Sequence, residues 1–350
     1  MIARELKLRP NKKQEAALNE WLWSLTAVYN WGIRTIELNA KDKIFFTKMD
    51  FTNLLAGHSK RMDIPSHAIQ GTLAQAWTSW DRCFKKLAKK PKLKGNRRKF
   101  SSIPFPDPIK LPEGNYIGIP GLKKIRFHKQ ELPGGKIKCG RIVKRADGWF
   151  LCLTLDTVYR FPVKDTEAAV GIDPGFKTLL TLSDGVTFEN PRELRRREAR
   201  LAQAQRGNDK KLAAKLSLTA ARIRKNRNHK ISRKIIEDYK TIYYSDDNFK
   251  GMAKRFGKSV SEASLGQLIG FIAYKGLTGG RSVIPVNSRF TTMTCSVCGS
   301  LSGPKGWAGL QVRDWQCCEC GSFHNRDINA AMVIAKTGAG MALEREICHA

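Results

Sequence analysis

A chain of 350 residues is long enough to bury a core and to divide into two or three domains. Its 63 Lys and Arg against 31 Asp and Glu leave a net charge of +32, which repels itself in a compact fold unless a polyanion neutralises it; nucleic acid is the expected one. There is no secretory signal pattern after Met1 and no apolar run of transmembrane length, so a cytoplasmic protein without a membrane partner is expected, and the nine cysteines do not form a disulfide framework.

In chain order, Ile2, Leu6 and Leu8 alternate with polar neighbours through Arg9 and predict a strand. Asn11 stands three residues before Gln14, a capping-box pattern, and Leu18, Trp21, Leu22, Leu25, Val28 and Tyr29 follow at helical spacing. Trp21, Trp23 and Trp31 are expected in a core at that periodicity. Further helices follow, with an apolar stripe of Ala74, Trp77, Trp80 and Phe84. Lys85 to Lys99 contains nine Lys or Arg and no acid, and is expected to contact phosphates. Ser101 to Pro112 reads as irregular. Strands are predicted at Ile125 to His128, Lys136 to Arg145 and Trp149 to Val158, the last two joined by an Asp147-Gly148 turn. With the first strand they predict a small β-barrel around the inserted helices, and Phe161 to Asp165 reads as a linker to an α/β domain.

The second half begins with Val170-Gly-Ile-Asp-Pro-Gly-Phe-Lys177, a strand running into Asp173, a turn, and a returning strand at Leu179 to Ser183. An acid at the end of a buried strand is costly unless a cation pairs with it, so Asp173 is a candidate metal ligand. A strand at Val186 to Phe188 follows. Between Arg192 and Lys234 there are 16 Lys or Arg against three acids, broken at Gly207-Asn208 into a predicted helical hairpin suited to gripping a nucleic-acid backbone. Thr241 to Phe249 reads as a strand ending in Asp246 and Asp247, Ser261 to Tyr274 as a helix, and Ser282 to Val286 as a strand. Carboxylates from separated strand ends could meet in such a domain.

Cys295-Ser-Val-Cys298 and Cys317-Cys-Glu-Cys320 are separated by 18 residues. Two such knuckles match the four-thiolate tetrahedral zinc pattern, with Cys295, Cys298, Cys317 and Cys320 as ligands and Cys318 turned away. Four thiolates leave no open position for water, so this zinc is structural. Asp327 follows at the start of a predicted helix and is a second candidate ligand beside Asp173; His324 reads as a structural polar residue.

Several motifs in this order carry a family resemblance: Leu6-Lys-Leu-Arg-Pro with Gln14, Tyr29-Asn30-Trp31, the Asp173-Pro-Gly strand, Asp246 to Met252, Phe290 to Gly299, and Arg326-Asp-Ile-Asn-Ala-Ala331. The chain resembles the TnpB-type (OrfB) proteins of bacterial insertion sequences, RNA-guided DNA endonucleases related to the compact type V CRISPR effectors. The resemblance implies an N-terminal wedge (OB-like) barrel over 1–165 with a helical recognition insertion at about 11–100. It implies a RuvC domain of RNase H fold over 166–350, with a zinc ribbon inserted at about 290–325. It further implies a guide RNA from the chain's own locus, double-stranded target DNA, catalytic Mg2+, one structural Zn2+, a transposase encoded alongside, a nucleoid-associated bacterial location, and a monomer or homodimer.

The family's RuvC site uses an Asp, a Glu and an Asp. Asp173 and Asp327 match the first and third, but the expected Glu is Ser245. Asp247 is the candidate replacement, two residues along the strand and so displaced by about 6.6 Å unless the strand ends or bulges. Asp246 and Glu262 are the alternatives, Glu262 being weaker because a helical surface acid is usually solvated. The leading expectation is an RNA-guided, Mg-dependent DNA endonuclease. The alternative is a nuclease-dead RNA-guided DNA-binding repressor, and a third is an unguided zinc-ribbon accessory of a transposon.

Overall fold

The computed structural model describes residues 1–95, 99–106, 114–128, 130–157, 160–309 and 311–349. It divides into two compact units, 1–159 and 160–350.

The first unit opens with β1 (Ile2–Arg9), then α1 (Lys12–Lys41), α2 (Lys48–Asn53), α3 (Ser59–Met62) and α4 (Ser66–Phe84). The strands β2 (Ser102–Phe105), β3 (Tyr116–Ile119), β4 (Lys123–Phe127), β5 (Lys136–Arg145) and β6 (Gly148–Asp156) follow. Their sheet runs β2-β5-β6-β1-β4-β3, every pair antiparallel, and curls into a half-barrel with β2 and β3 at its edges. The capping box forms as expected: Asn11 Oδ1 accepts the Gln14 N–H at 2.8 Å and Gln14 Oε1 accepts the Asn11 N–H at 3.0 Å. Gln14 Nε2 also donates to the Leu122 and Lys124 carbonyls, which fixes the start of α1 to the sheet.

Two differences from the sequence reading stand out in this unit. The segment read as irregular contains β2, paired with β5 from Ser102 opposite Val143 to Phe105 opposite Gly140. Its Pro104 is tolerated because β2 is an edge strand, where a missing N–H costs no ladder bond. The remainder of that segment, 107–113, lies outside the described residues. Of the three tryptophans, Trp21 is buried, whereas Trp23 and Trp31 are exposed on the solvent side of α1.

The basic segment after α4 is tied to α1. Asn30 Nδ2 donates to the Lys94 carbonyl at 2.7 Å, and Asn30 Oδ1 accepts the Lys94 N–H at 2.8 Å. Lys94 Nζ lies over Tyr29 and Phe100, and Lys90 pairs with Glu37 at 2.5 Å. The lysines are thus presented on an anchored strap, beside an open groove of about 530 Å³ lined by Gln75, Thr78, Arg82 and Lys89. Residues 96–98 of the strap lie outside the description.

The second unit comprises β7 (Ala169–Pro174), β8 (Thr178–Leu182), β9 (Thr187–Glu189), α5 (Glu198–Arg206), α6 (Lys210–Asp238) and β10 (Thr241–Ser245). It continues with α7 (Phe249–Ala263), α8 (Leu265–Gly279), β11 (Ser282–Val286), α9 (Gly306–Gly309), β12 (Asp314–Gln316), β13 (Phe323–Asn325) and α10 (Arg326–His349). The segment read as a linker packs on this unit, where the Phe161 N–H donates to the Thr278 carbonyl at the end of α8. The sheet order is β11-β10-β7-β8-β9. β7, β8 and β9 are antiparallel, while β10 and β11 run parallel to β7. This is the RNase H arrangement that the resemblance implies.

Strand alternation gives the sheet two faces. Val170, Ile172 and Ile242 pack with Ile231 and Ile235 of α6 and Leu268 and Ile272 of α8. Tyr243 and Val286 pack on the other face against Ile334 of α10. Gly171 and Asp173 alternate onto the α10 face, and there Gly171 lets the helix come close. A Cβ at Gly171 would stand on the Ala331 carbonyl and 2.7 Å from the Ala335 nitrogen.

Candidate active site and cysteine knuckles

Asp173 ends β7 in register with Thr181 of β8 and is half-buried. Asp327 lies in the first turn of α10, four residues before the Ala331 carbonyl that rests on Gly171. Close strand–helix packing therefore brings the two acids together. Burial pushes the Asp173 carboxyl up to about 8, assisted by the negative charges of Asp327 and then Asp247, while Arg326 and Arg313 oppose the rise.

β10 ends at Ser245, and its neighbour Asp246 still donates its N–H to the Val286 carbonyl at 2.8 Å. The chain then folds back in two successive three-residue turns, Asp247 N–H to the Ser245 carbonyl at 3.0 Å and Phe249 N–H to the Asp247 carbonyl at 2.9 Å. Asp247 is consequently not carried a further two residues along a strand, and its charge reaches Asp173. Ser245, 2% exposed, donates its hydroxyl to Asp247 Oδ2 at 2.7 Å. Asn248 accepts the Gly251 N–H at 2.9 Å and starts α7 immediately after the acid.

The two alternative acids are placed otherwise. Asp246 is exposed and is not among the charges acting on Asp173. Glu262, expected on a solvated surface, is buried at 2% exposure; both its oxygens accept the Leu194 N–H, at 2.8 and 3.1 Å, within the field of Arg227. A buried carboxylate so engaged serves to fix the turn before α5.

Asp327 is held by two guanidinium groups, Arg313 from the segment before β12 and its neighbour Arg326, the latter at 3.1 Å. Arg313 was not singled out by sequence reasoning, since one arginine in a basic chain carries no signal of its own. Pairing with these cations keeps the metal-free cluster from being entirely uncompensated. Asp173, by contrast, has its pKa raised by burial beside Asp327 and Asp247. Among the described residues, the three acids do not close into a group with every ligand atom within 4.8 Å of the others, as the cysteines do.

The four cysteines do converge. Cys295, Cys298, Cys317 and Cys320 place their sulfurs within 4.8 Å of one another, with Cys295 to Cys320 at 3.7 Å and Cys298 to Cys317 at 3.6 Å. A tetrahedron with Zn–S bonds of about 2.3 Å has edges of about 3.8 Å, so the donor set fits zinc. Each knuckle closes the same way: the Cys295 N–H donates to the Ser300 carbonyl and the Cys317 N–H to Ser322, with Gly299 and Gly321 at φ +80° and +71°. Burial pushes the Cys295 thiol up to about 11, while hydrogen bonds from Ser300 and Ser302 draw Cys317 down to about 5. Cys318 is exposed, and His324 Nε2 lies 3.1 Å from Cys295 Sγ, its ring against Trp315.

Asn329, also not foreseen, joins the knuckles to the acids. It is 1% exposed, accepts the Ser296 N–H at 2.8 Å and donates to the Thr294 carbonyl at 2.7 Å. It sits two residues after Asp327, so the first knuckle and the third acid share one anchor.

An RNase H-type sheet with acids near the ends of β7 and β10 and at the start of α10, and a cysteine ribbon between β11 and that helix, gives this unit a RuvC-like fold with a zinc-ribbon-like insertion. Residues 152–255 match the OrfB_IS605 family, described as a probable transposase, and residues 266–334 match the Cas12f1-like TNB domain. Both matches make the chain similar to the TnpB-type proteins. It is 28% identical over 369 residues to a Streptomyces pristinaespiralis protein named an RNA-guided DNA endonuclease, covering 96% of this chain and 90% of that one. It is 25% identical to the Escherichia coli protein InsQ, named likewise, over 79% of this chain and 75% of the relative. Among solved structures, Cas12f1 in a complex with sgRNA and target DNA matches with a TM-score of 0.59 at 14% identity, over 93% of this chain and 83% of that one, a likeness of fold. Among the described residues no helix is long and apolar enough to cross a membrane.

Proposed function

We propose that the chain is an RNA-guided DNA endonuclease of a bacterial insertion sequence, hydrolysing DNA phosphodiesters at Asp173, Asp247 and Asp327. The observation that carries this reading is the double turn that keeps Asp247 at the end of β10, the parallel neighbour of the strand that bears Asp173, while α10, which bears Asp327, packs against the same strand; this supports a three-acid site despite Ser245. The relatives' names supply the class of activity, and the net charge of +32 suits a chain that holds RNA and DNA.

Asp173, Asp247 and Asp327 would hold the divalent ions, magnesium foremost, since their hard oxygen donors suit it. Bound there, the ions would supply water activation and stabilisation of the leaving oxygen. Asp173, whose carboxyl is pushed up to about 8 by burial, would bind the ion as the carboxylate. Arg313 and Arg326 hold Asp327 by ion pairs and are the cationic donors beside this acid. Zinc at the four cysteines would be structural, fixing the ribbon to α10 through Asn329. The binding-without-cutting alternative has no observation in its favour.

The test is plasmid cleavage in Mg2+ by protein co-purified with RNA from its own locus, against targets with a randomised flanking motif. Wild type should cut, and Asp173→Ala and Asp247→Ala should each lose cutting while retaining guide-dependent binding. Guided binding without cleavage by the wild type would overturn the nuclease reading, and full cleavage by Asp247→Ala would remove that residue from the site.

A further inference from the structure

Ser245 is where the family's second acid is expected, and its surroundings say why a serine can stand there. β10 and β7 are paired in parallel register, with Tyr243 opposite Gly171 and Tyr244 opposite Ile172. One step further along that register, Ser245 comes alongside Asp173, at the usual strand spacing of about 4.8 Å. Ser245 also shares with Tyr243 the buried, α10-covered face of the sheet. The position is therefore adjacent to the first acid, and its side chain is too short and neutral to ligate as a carboxylate would.

Its one donor proton is instead committed to Asp247. The Oγ–Oδ2 distance of 2.7 Å is that of a strong charge-assisted bond, formed from a side chain only 2% exposed. That bond engages one oxygen of Asp247, Oδ2. It also closes a ring with the Asp247 N–H to Ser245 carbonyl turn, so backbone and side chain are both tied to the end of β10. On the other side, the Asn248 cap of α7 prevents the turn from unwinding.

We infer that Ser245 is a positioning residue: its hydroxyl orients the Asp247 carboxylate towards Asp173, so that the serine and the aspartate two residues later together replace a single glutamate. This rests on the reading of Asp247 as the second acid, and it adds a cause for that acid's placement. Hydrogen-bond partners of ligating carboxylates characteristically contribute roughly tenfold in metal affinity, which sets the size of the effect.

The test uses the full chain with its RNA and Mn2+ as a magnesium stand-in. Binding to the acid site is followed by titration calorimetry, with Asp173→Ala defining the background, and cleavage is measured against Mg2+ concentration. Ser245→Ala should weaken Mn2+ binding roughly tenfold and raise the half-maximal Mg2+ concentration by a similar factor, with the maximal rate recovered at high Mg2+. Ser245→Thr, which retains the hydroxyl, should restore both. A merely structural serine would instead lower the folded fraction and the maximal rate, leaving the metal dependence in place. If Ser245→Ala binds Mn2+ like the wild type while Asp247→Ala binds it weakly, the positioning role is wrong and the reading of Asp247 as the second acid stands. If Asp247→Ala also binds like the wild type, both fall.

Discussion

Replacing Asp173 by asparagine removes a charge while keeping the shape of the protonated acid, so its effect on stability isolates the electrostatics of the site. The folded chain keeps a proton on Asp173 up to about pH 8, whereas the unfolded chain releases it near the ordinary value of 3.8. Between those values the folded state binds more protons than the unfolded state, so without a divalent cation the contribution of Asp173 to stability falls as pH rises through the window. The slope is about 1.4 kcal/mol per pH unit where the two states differ by a whole proton. From pH 5 to pH 8 this amounts to about 2 to 4 kcal/mol, the lower figure allowing for solvent around a half-buried carboxylate. Urea unfolding of wild type and Asp173→Asn in magnesium-free buffer reads the difference directly. The wild type should lose ground against the variant as pH rises, and added Mg2+ should restore it most strongly at pH 8, because the cation substitutes for the proton. Parallel midpoint curves for the two proteins would refute the argument, since no other change separates them.

Two further outcomes follow from the packing and from the knuckles. Gly171→Ala places a methyl group against the Ala331 carbonyl and the Ala335 nitrogen, backbone atoms that cannot move singly, and should cost about 3 kcal/mol in urea unfolding while sharply reducing cleavage through displacement of Asp327; unchanged stability would contradict the close approach of β7 and α10. Metal analysis of purified protein should give about one zinc per chain, lost in Cys317→Ser combined with Cys295→Ser and kept in Cys318→Ser. Zinc-stripped protein that retained full binding and cutting would show that the ribbon has no part in holding Asp327.

The chain's local signals determined a good deal by themselves. The capping box at Asn11 and Gln14, the knuckles with their glycines, and Asp173 at the end of a strand were legible because each depends on neighbours within a few residues. The ordered motifs likewise pointed to a family resemblance and, with it, the RNase H sheet order. Tertiary structure decided what proximity means between distant residues. Glu262 looked like a surface acid because helical periodicity says nothing of a loop N–H arriving from Leu194. Arg313 gave no signal, and Asn329, though inside the Arg326 to Ala331 motif, had no role to read, because their partners, Asp327 and the first knuckle, are brought to them by the fold. Asp247 could be nominated from its spacing, but strand geometry alone would have left it about 6.6 Å out of place. Only the double turn after Ser245, closed by a hydroxyl-to-carboxylate bond, brings that acid within the field of Asp173, because backbone reversals and buried hydrogen bonds are set by packing on both sides of the sheet.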